Sequence, residues 1–302
     1  MMISEVERER LMYEIIGSIS ASNAPIVFKG ALITKLVLAE SRFDDIARKT
    51  VDIDANWIGE PPDADQLLAI VSKAVANVSD TLQAKLTREY GDKKSAGILI
   101  FNRNSTASNS GIEMDISVNK FQESKIYTYN ELTIKGVLPS EILADKISVL
   151  SSKKIFRRAK DFVDIYALAH CVEVRTSEIY ASHKRNGRTL GAFTEFRTRK
   201  DDLNHAYKKL RGIENKPQFE GMYQYVSKFV QPFELDYKVD RVWNPKSSAW
   251  DDSSPDIDEH RHTRKPSLIE KLSRAKEKAN AHNEQSREAR RNLNKSDDEP
   301  DL

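Results

Sequence analysis

The pattern of apolar and polar positions predicts a chain that mixes helices with short strands. Apolar residues at helical spacing predict helices over residues 4–20, 30–38, 61–86, 140–150 and 156–172, with further helices within 176–230. Short apolar or alternating segments predict strands over residues 26–28, 51–57, 97–101, 112–118 and 128–134. Strands concentrated in the first half and helices in the second half are typical of an α+β protein.

The same pattern predicts three regions. Residues 1–138 hold all the predicted strands and are expected to form an α/β domain with a small mixed sheet. Residues 139–244 are helical throughout. From residue 245 to 302 the composition changes, and we expect a linker followed by a charged tail that is partly helical or disordered.

Composition excludes several classes of protein. The chain has 302 residues, of which 39% are hydrophobic and 31% charged, as in a globular protein, and its formal net charge is only +2. The single cysteine cannot form an internal disulfide. No apolar run reaches the length of a membrane span, and the charged N-terminus is unlike a signal peptide, so we expect a cytoplasmic protein without a membrane partner.

Candidate chemistry begins with two carboxylates in a predicted strand. Asp52 and Asp54 are two residues apart, so both side chains project from the same face, whereas Val51 and Ile53 are expected to point into the core. Two adjacent carboxylates repel each other unless a cation lies between them, and Mg²⁺ prefers oxygen ligands. The alternative is that the pair is only the solvent-facing side of an amphipathic strand.

A third carboxylate is expected from a neighbouring strand, as in sites where two metal ions assist phosphoryl transfer. The alternating segment over residues 112–118 offers Glu113 and Asp115. We favour Asp115 because it lies in the middle of that strand. Upstream, Lys29-Gly30-Ala31 opens a helix after an apolar strand, which leaves free backbone N–H groups where phosphates could bind.

These motifs resemble the AbiEii-like nucleotidyltransferases, the toxins of type IV toxin–antitoxin systems. The family has a Lys-Gly-Gly or Lys-Gly-Ser turn before a helix, here Lys29-Gly30-Ala31, and then an Arg-x-Ser/Thr-x-Asp-x-Asp strand, here Arg48 to Asp54. A helix with an Ala-x-Lys motif follows, here Ala144 to Lys146, and then a helix with a Lys-Asp-x-x-Asp motif, here Lys160 to Asp164. The resemblance covers residues 25–170 and implies a DNA polymerase β-type fold.

The resemblance also implies roles for individual residues. Asp52, Asp54 and Asp115 would hold Mg²⁺ or Mn²⁺ on the nucleotide, and Asp115 could accept the proton of the acceptor hydroxyl. Lys146 would contact the triphosphate, Asp161 would orient Lys146, and Asp164 is expected to be structural. The nucleotide-binding residues would be Lys29, Gly30, Ala31, Arg48 and Thr50. Ala31 replaces the second small residue of the first motif, and its Cβ is expected to narrow the approach of a phosphate.

Basic residues with interleaved aromatics occupy residues 183–211, and such a surface could hold the phosphates of an RNA acceptor. The alternative is a solvated helical surface. The chain lacks a P-loop motif and the histidine and cysteine spacings of zinc sites.

The sequence therefore predicts a Mg²⁺-dependent nucleotidyltransferase that uses an NTP, with tRNA or another RNA as acceptor and a separately encoded antitoxin as partner. Two alternatives remain open. One is a non-catalytic binding or regulatory protein with this fold, and the other is a nucleotidyltransferase that modifies a protein or a small molecule.

Overall fold

The computed structural model of the protein describes residues 5–90, 95–104, 111–118, 120–235 and 239–252. The helices are α1 Glu5–Ala21, α2 Gly30–Glu40, α3 Ala64–Val78, α4 Pro139–Leu150, α5 Ala159–Cys171, α6 Thr176–Arg185, α7 Thr194–Thr198, α8 Lys200–Lys209 and α9 Phe219–Glu234. The strands are β1 Ile26–Lys29, β2 Asp52–Trp57, β3 Leu82–Arg88, β4 Ser95–Asn102, β5 Ile112–Ser117, β6 Ser124–Tyr129, β7 Leu132–Val137, β8 Val174–Arg175, β9 Arg241–Asn244 and β10 Ala249–Asp252.

Seven strands form a mixed sheet in the order β3-β4-β5-β2-β1-β7-β6. The pairs β2–β5 and β1–β7 are parallel, and the other pairs are antiparallel. The prediction of an α+β fold with a mixed sheet is confirmed. The central strands are buried on both faces except where the polar residues of the site project, which is why β1 reads as a continuous apolar run.

The helices pack on this sheet and on one another. Helices α1 and α3 contact each other, and α1 also contacts β7 while α3 contacts β3. Helix α2 contacts β1 and β2 and also α4 and α5, so it joins the sheet to the later helices. Seven of its eleven residues are buried, which explains why it is apolar almost all around. The core is therefore continuous from the sheet into the helices that follow.

The prediction of one helix over residues 61–86 is wrong. Helix α3 ends at Val78, and Leu82 and Leu86 belong to strand β3. Asp63 caps the start of the helix by accepting a hydrogen bond from the backbone N–H of Gln66 at 2.7 Å. The two leucines are four residues apart, a spacing that satisfies both the helical repeat and the two-residue repeat of a strand.

Two smaller predictions are also corrected. Residues 128–134 form the turn of a hairpin between β6 and β7 rather than one strand, with Asn130 in the left-handed region at a φ of +52°. Val51 precedes β2 and is 60% exposed, so it does not point into the core as predicted, whereas Ile53 does.

The described residues up to Asp252 form one compact unit. Strands β8, β9 and β10 form a second, three-stranded sheet, so residues 249–252 of the expected linker are a strand. The division into domains at residues 138 and 244 stays a prediction, and the predicted tail beyond Asp252 lies outside the described residues. Among the described helices, none is both long and apolar enough to span a membrane.

Candidate active site

Strand register brings the predicted carboxylates together in one row across the sheet. Asp54 of β2 is the register partner of Asp115 of β5, and on its other side it is the partner of Lys29 of β1. Register partners in adjacent strands project from the same face of the sheet. Asp52 lies two residues before Asp54 and shares that face. The row therefore holds Asp52, Asp54 and Asp115 beside one lysine, and Glu113, the register partner of Asp52, lies on the same face.

The cleft beside this row has a volume of about 220 Å³. One wall comes from the sheet and from the loops that flank it, and the other wall comes from α4, α5 and the loop after α6. Its lining residues are Lys29, Gly30, Asp54, Gln122, Val137, Ile142, Asp145, Lys146, Val149, Asp161 and Arg188. Five of the sequence-predicted residues thus line one cleft, whereas Asp52 and Asp115 are exposed on the sheet face beside Asp54.

The start of α2 brings backbone close to Asp54. Gly30 has a φ of +71°, and a Cβ added there would overlap Asp54 Oδ2 and lie 3.0 Å from Asp54 Cβ. The position therefore requires glycine for both its conformation and its space. No side chain caps this helix end, so its first backbone N–H groups remain donors for an anion.

Burial raises the pKa of Asp54 above its usual value, and the Asp52 carboxylate raises it further. Lys29 opposes that rise, Asp115 adds to it, and Lys146 opposes it. Asp54 is therefore a partly enclosed carboxylate under repulsion from two others. A divalent cation would relieve this repulsion, and a set of carboxylate oxygens fits Mg²⁺ or Mn²⁺.

Arg88 forms an ion pair with the Asp115 carboxylate. The register of β3 shifts between Leu86 and Arg88, and Arg88 is the partner of Gly97, which is itself the partner of Asp115. Because Gly97 has no side chain, the Arg88 guanidinium crosses β4 and forms an ion pair with Asp115. Within the described residues, no three carboxylate, histidine or cysteine side chains are grouped closely enough to enclose an ion.

The opposite wall contains a buried ionic network. Lys146 Nζ lies 2.5 Å from Asp164 Oδ2 and 3.5 Å from Asp161 Oδ1. Arg48 Nε donates to both Asp164 oxygens, at 3.1 and 3.2 Å. Burial would lower the pKa of Lys146, but Asp164 and Asp161 hold it above its usual value. Asp164 is thus the nearer anchor of Lys146, and Asp161 is the carboxylate that reaches the cleft.

Three predicted nucleotide-binding residues make other contacts. Arg48 pairs with Asp164 and does not line the cleft. Thr50 Oγ1 donates to Asp52 Oδ1 at 2.5 Å, so it orients a carboxylate. Ala31 is 5% exposed and is not among the lining residues, so the expected narrowing by its Cβ does not occur at the cleft. Their predicted contact with nucleotide stays a prediction.

Sequence reasoning missed four polar residues of the site, namely Arg88, Gln122, Asp145 and Arg188. Asp145 and Arg188 form an ion pair in the cleft wall. Gln122 accepts a hydrogen bond from the buried Asn56 side chain. Asp145 carried a signal as the neighbour of Lys146 in α4, and Arg188 carried one as a member of the basic stretch over residues 183–211. Gln122 lies in a loop and Arg88 follows the segment predicted as helix, so neither carried a signal.

Comparison with protein families supplies the class of protein. The profile described as the nucleotidyl transferase AbiEii toxin of type IV toxin–antitoxin systems matches residues 10–245. The protein is therefore a nucleotidyltransferase. It belongs to the AbiEii toxin family of type IV toxin–antitoxin systems. A search of curated protein sequences finds no match.

Solved structures of similar shape include three proteins described as nucleotidyltransferases or nucleotidyltransferase-like. One is from H. pylori, with 14% identity and a TM-score of 0.48, covering 76% of this chain and 95% of that one. An antigenic nucleotidyltransferase-like protein from Paracoccidioides brasiliensis has 15% identity and a TM-score of 0.42, covering 68% and 94%. The nucleotidyltransferase toxin MenT4 from Mycobacterium tuberculosis has 9% identity and a TM-score of 0.40, covering 77% and 91%.

Proposed function

We propose that the protein transfers a nucleoside monophosphate from an NTP to an RNA acceptor, with tRNA among the candidates, and that this reaction is the basis of toxicity. The register pairing of Asp54 with Asp115, beside the open helix end at Gly30 and the cleft lined by Lys146, is the observation that carries the proposal. It supports the proposal because carboxylates, backbone donors and a cation lie near one space, and nucleotidyl transfer depends on such groups.

Asp52, Asp54 and Asp115 would hold Mg²⁺ or Mn²⁺, which would neutralise charge on the triphosphate when bound. The backbone N–H groups at Gly30 would bind phosphate oxygens, and Lys29 and Lys146 would face them from opposite walls of the cleft. Thr50 and Arg48 would act indirectly, Thr50 by orienting Asp52 and Arg48 by fixing Asp164.

The reaction would join the acceptor hydroxyl oxygen to the α-phosphorus of the NTP. The bond from that phosphorus to the oxygen bridging the β-phosphate would break, and pyrophosphate would leave. The hydroxyl proton would pass to Asp115, which must first be released from Arg88. Arg88 would then be free to pair with the acceptor or with pyrophosphate.

Incorporation of labelled NTPs into a cell lysate tests this proposal. The wild-type protein is expected to label material that RNase removes and protease does not. Asp52→Ala and Asp54→Ala should abolish labelling and growth inhibition, since each removes a proposed metal ligand. Glu113→Gln is the matched control, because Glu113 is an exposed carboxylate that is the register partner of Asp52 on the same sheet face.

The two open alternatives give different results in the same assay. Label that survives RNase and is lost with protease would identify a protein acceptor, and label in small molecules alone would identify a small acceptor. Unchanged labelling by the purified Asp52→Ala/Asp54→Ala double variant would overturn the assignment of the site. A separately encoded antitoxin is proposed as the partner, and co-expression of a neighbouring gene product that restores growth would support it.

A further inference from the structure

The connection between α4 and α5 carries an unusual concentration of positive charge. Residues 151–160 read Ser-Ser-Lys-Lys-Ile-Phe-Arg-Arg-Ala-Lys, with five cations and no carboxylate. Buried Ile155 anchors the 3₁₀ turn Ile155–Arg157 in the core, while Phe156 remains 41% exposed. A large exposed aromatic side chain within a basic segment is a candidate binding surface.

Four of these five cations form no ion pair within the described structure. Lys153, Lys154, Arg157 and Lys160 are exposed, and none of them forms an ion pair with a described carboxylate. The fifth, Arg158, lies 3.7 Å from Asp161. Positive charge that no neighbouring carboxylate neutralises is available to an anionic partner.

The Phe156 ring is flanked by guanidinium groups. Arg157 Cζ lies 5.7 Å from the ring centroid, and Arg199 Cζ lies 5.5 Å from it. Aromatic rings and guanidinium planes are the groups on which unpaired bases stack, and the adjacent lysines suit the phosphates between those bases. An acidic protein could form ion pairs with these cations, but its carboxylates would not stack on the Phe156 ring.

The cations of the basic stretch predicted from sequence, residues 183–211, are less available to an RNA than those of the α4–α5 connection. Five of its cations pair with carboxylates: Arg185 with Glu123 and Glu141, Arg188 with Asp145, Arg197 with Glu234, Arg199 with Glu195 and Asp202, and Lys200 with Glu220. His183 is buried. Exposed, unpaired charge remains in this stretch at Lys208 and Lys209 on α8, among others.

The basic connection also borders the cleft at both of its ends. Val149, in the last turn of α4, lines the cleft, and so does Asp161, in the first turn of α5. A strand of RNA lying on residues 153–157 would therefore lie on a segment that borders the cleft at both of its ends.

We propose that Lys153, Lys154, Phe156 and Arg157, the Phe156 patch, bind the single-stranded end of the RNA acceptor, with one base stacked on Phe156. This inference rests on the proposed function, because the patch would hold the RNA acceptor that the cleft modifies. It assigns acceptor binding to the connection between α4 and α5 rather than to residues 183–211.

Fluorescence anisotropy with a labelled single-stranded RNA of about ten nucleotides tests the patch without catalysis. Phe156→Ala is expected to weaken binding about 5- to 150-fold, the range of one base–aromatic stack, and Phe156→Trp should restore it. Lys153→Ala/Lys154→Ala should reduce the slope of log affinity against log salt by about 1.4, because each phosphate contact on a single strand contributes about 0.7.

The matched control is Lys208→Ala/Lys209→Ala, which removes two exposed cations from the alternative surface and should leave binding unchanged. Equal RNA binding by wild type and Phe156→Ala would overturn the proposal, and so would loss of binding in the Lys208/Lys209 variant alone. If poly-glutamate competes as strongly as unlabelled RNA, the proposal is also overturned, because the patch would then bind an acidic protein as well as it binds RNA.

Transfer assays separate this inference from the proposed function. If wild type labels RNA, Phe156→Ala should raise KM for RNA and leave KM for the NTP unchanged. If wild type binds RNA through the patch but labels only protein, the RNA acceptor of the proposed function fails, while the patch remains an RNA-binding site. If wild type labels RNA and Phe156→Ala has the same KM for it, the patch fails and the proposed function stands.

Discussion

At Gly30 the backbone lies in the left-handed region, and a Cβ would overlap the Asp54 carboxylate. We expect Gly30→Ala to displace Asp54 and to lower the rate of transfer about 100-fold, the cost of misplacing a catalytic group by about 1 Å. The neighbouring exchange Ala31→Gly is the control, since Ala31 does not line the cleft. Single-turnover kinetics should show the loss only in Gly30→Ala. Full activity of Gly30→Ala would show that α2 does not approach the nucleotide.

Asp164 pairs with Lys146, which lines the cleft, and with Arg48, which does not, and its side chain is only 4% exposed. Asp164→Asn would leave Arg48 without its charged partner and Lys146 with only the more distant Asp161. We expect the free energy of unfolding to fall by about 3–5 kcal/mol, the cost of breaking a buried ion pair. Urea denaturation of the wild type and of Asp164→Asn measures this decrease in the free energy of unfolding.

Asp161→Asn is the comparison for that measurement, because Asp161 lies farther from Lys146 and is more exposed. We expect it to retain most of the stability of the wild type and to lose transfer activity. Equal losses of stability in both variants would contradict the distinct roles that their contacts indicate.

Residues that act through local chemistry were predictable from the sequence, and residues that act through tertiary contacts were not. Asp52, Asp54 and Lys29 follow from a two-residue spacing and a strand-to-helix turn, and the structure places all three in one row. Arg88 reaches Asp115 only because Gly97 lies between them in register, and register was not available from the chain alone.

At the level of elements, α6 packs on α4 through a buried histidine. His183 Nε2 lies 2.8 Å from the Ala144 carbonyl oxygen, and its buried Nδ1 has no hydrogen-bond partner in the described structure. Burial lowers the pKa of His183 below its usual 6.5, with a smaller contribution from Arg188. The hydrogen bond to Ala144 raises the pKa, but burial outweighs it and favours the neutral ring.

This predicts the sign of a pH effect. As the pH falls, the unfolded chain binds a proton on His183 before the folded chain does. The contribution of His183 to the free energy of unfolding is therefore fully present above about pH 6.5 and decreases below it. Urea denaturation at pH 7.5 and 5.5 should show a smaller difference for His183→Gln than for wild type. His205→Gln, at an exposed position on α8, should behave as the wild type. An unchanged pH dependence in His183→Gln would contradict the prediction.

Element boundaries show why the long helix was mispredicted. Leu82 and Leu86 extend the apolar stripe of α3 at helical spacing, but the intervening Ala84 shares their side of a strand. Pairing of β3 with β4 decides between the two interpretations, and that pairing is a long-range contact. The helices after Pro139 had no competing pattern and are confirmed, but strands β8 and β9 show that residues 139–244 are not helical throughout.

For the whole molecule, we expect divalent metal to stabilise the fold. Repulsion among Asp52, Asp54 and Asp115 opposes folding until a cation binds. Mg²⁺ at 100 times its Kd should add about 2.7 kcal/mol, which raises the Tm of a domain of this size by about 5–10 °C. Melting curves in EDTA and in MgCl₂ measure this shift.

The variants should separate a metal effect from a structural defect. Asp54→Asn should lose the Mg²⁺-dependent shift and yet melt no lower than wild type in EDTA, because it removes a repelled charge. Glu113→Gln should keep the shift. Retention of the full shift by Asp54→Asn would show that the ion binds elsewhere.

The two walls of the cleft come from separate stretches of the chain, the sheet before residue 138 and helices α4 and α5 after it. The ribosome synthesises the strands of the sheet before it synthesises helices α4 and α5. A nascent chain that folds from its N-terminus therefore carries the carboxylate row without Lys146 or Asp161 opposite it. On the proposed function, a chain whose synthesis has not passed Arg188, in the loop after α6, would lack part of the cleft and would not yet transfer a nucleotide.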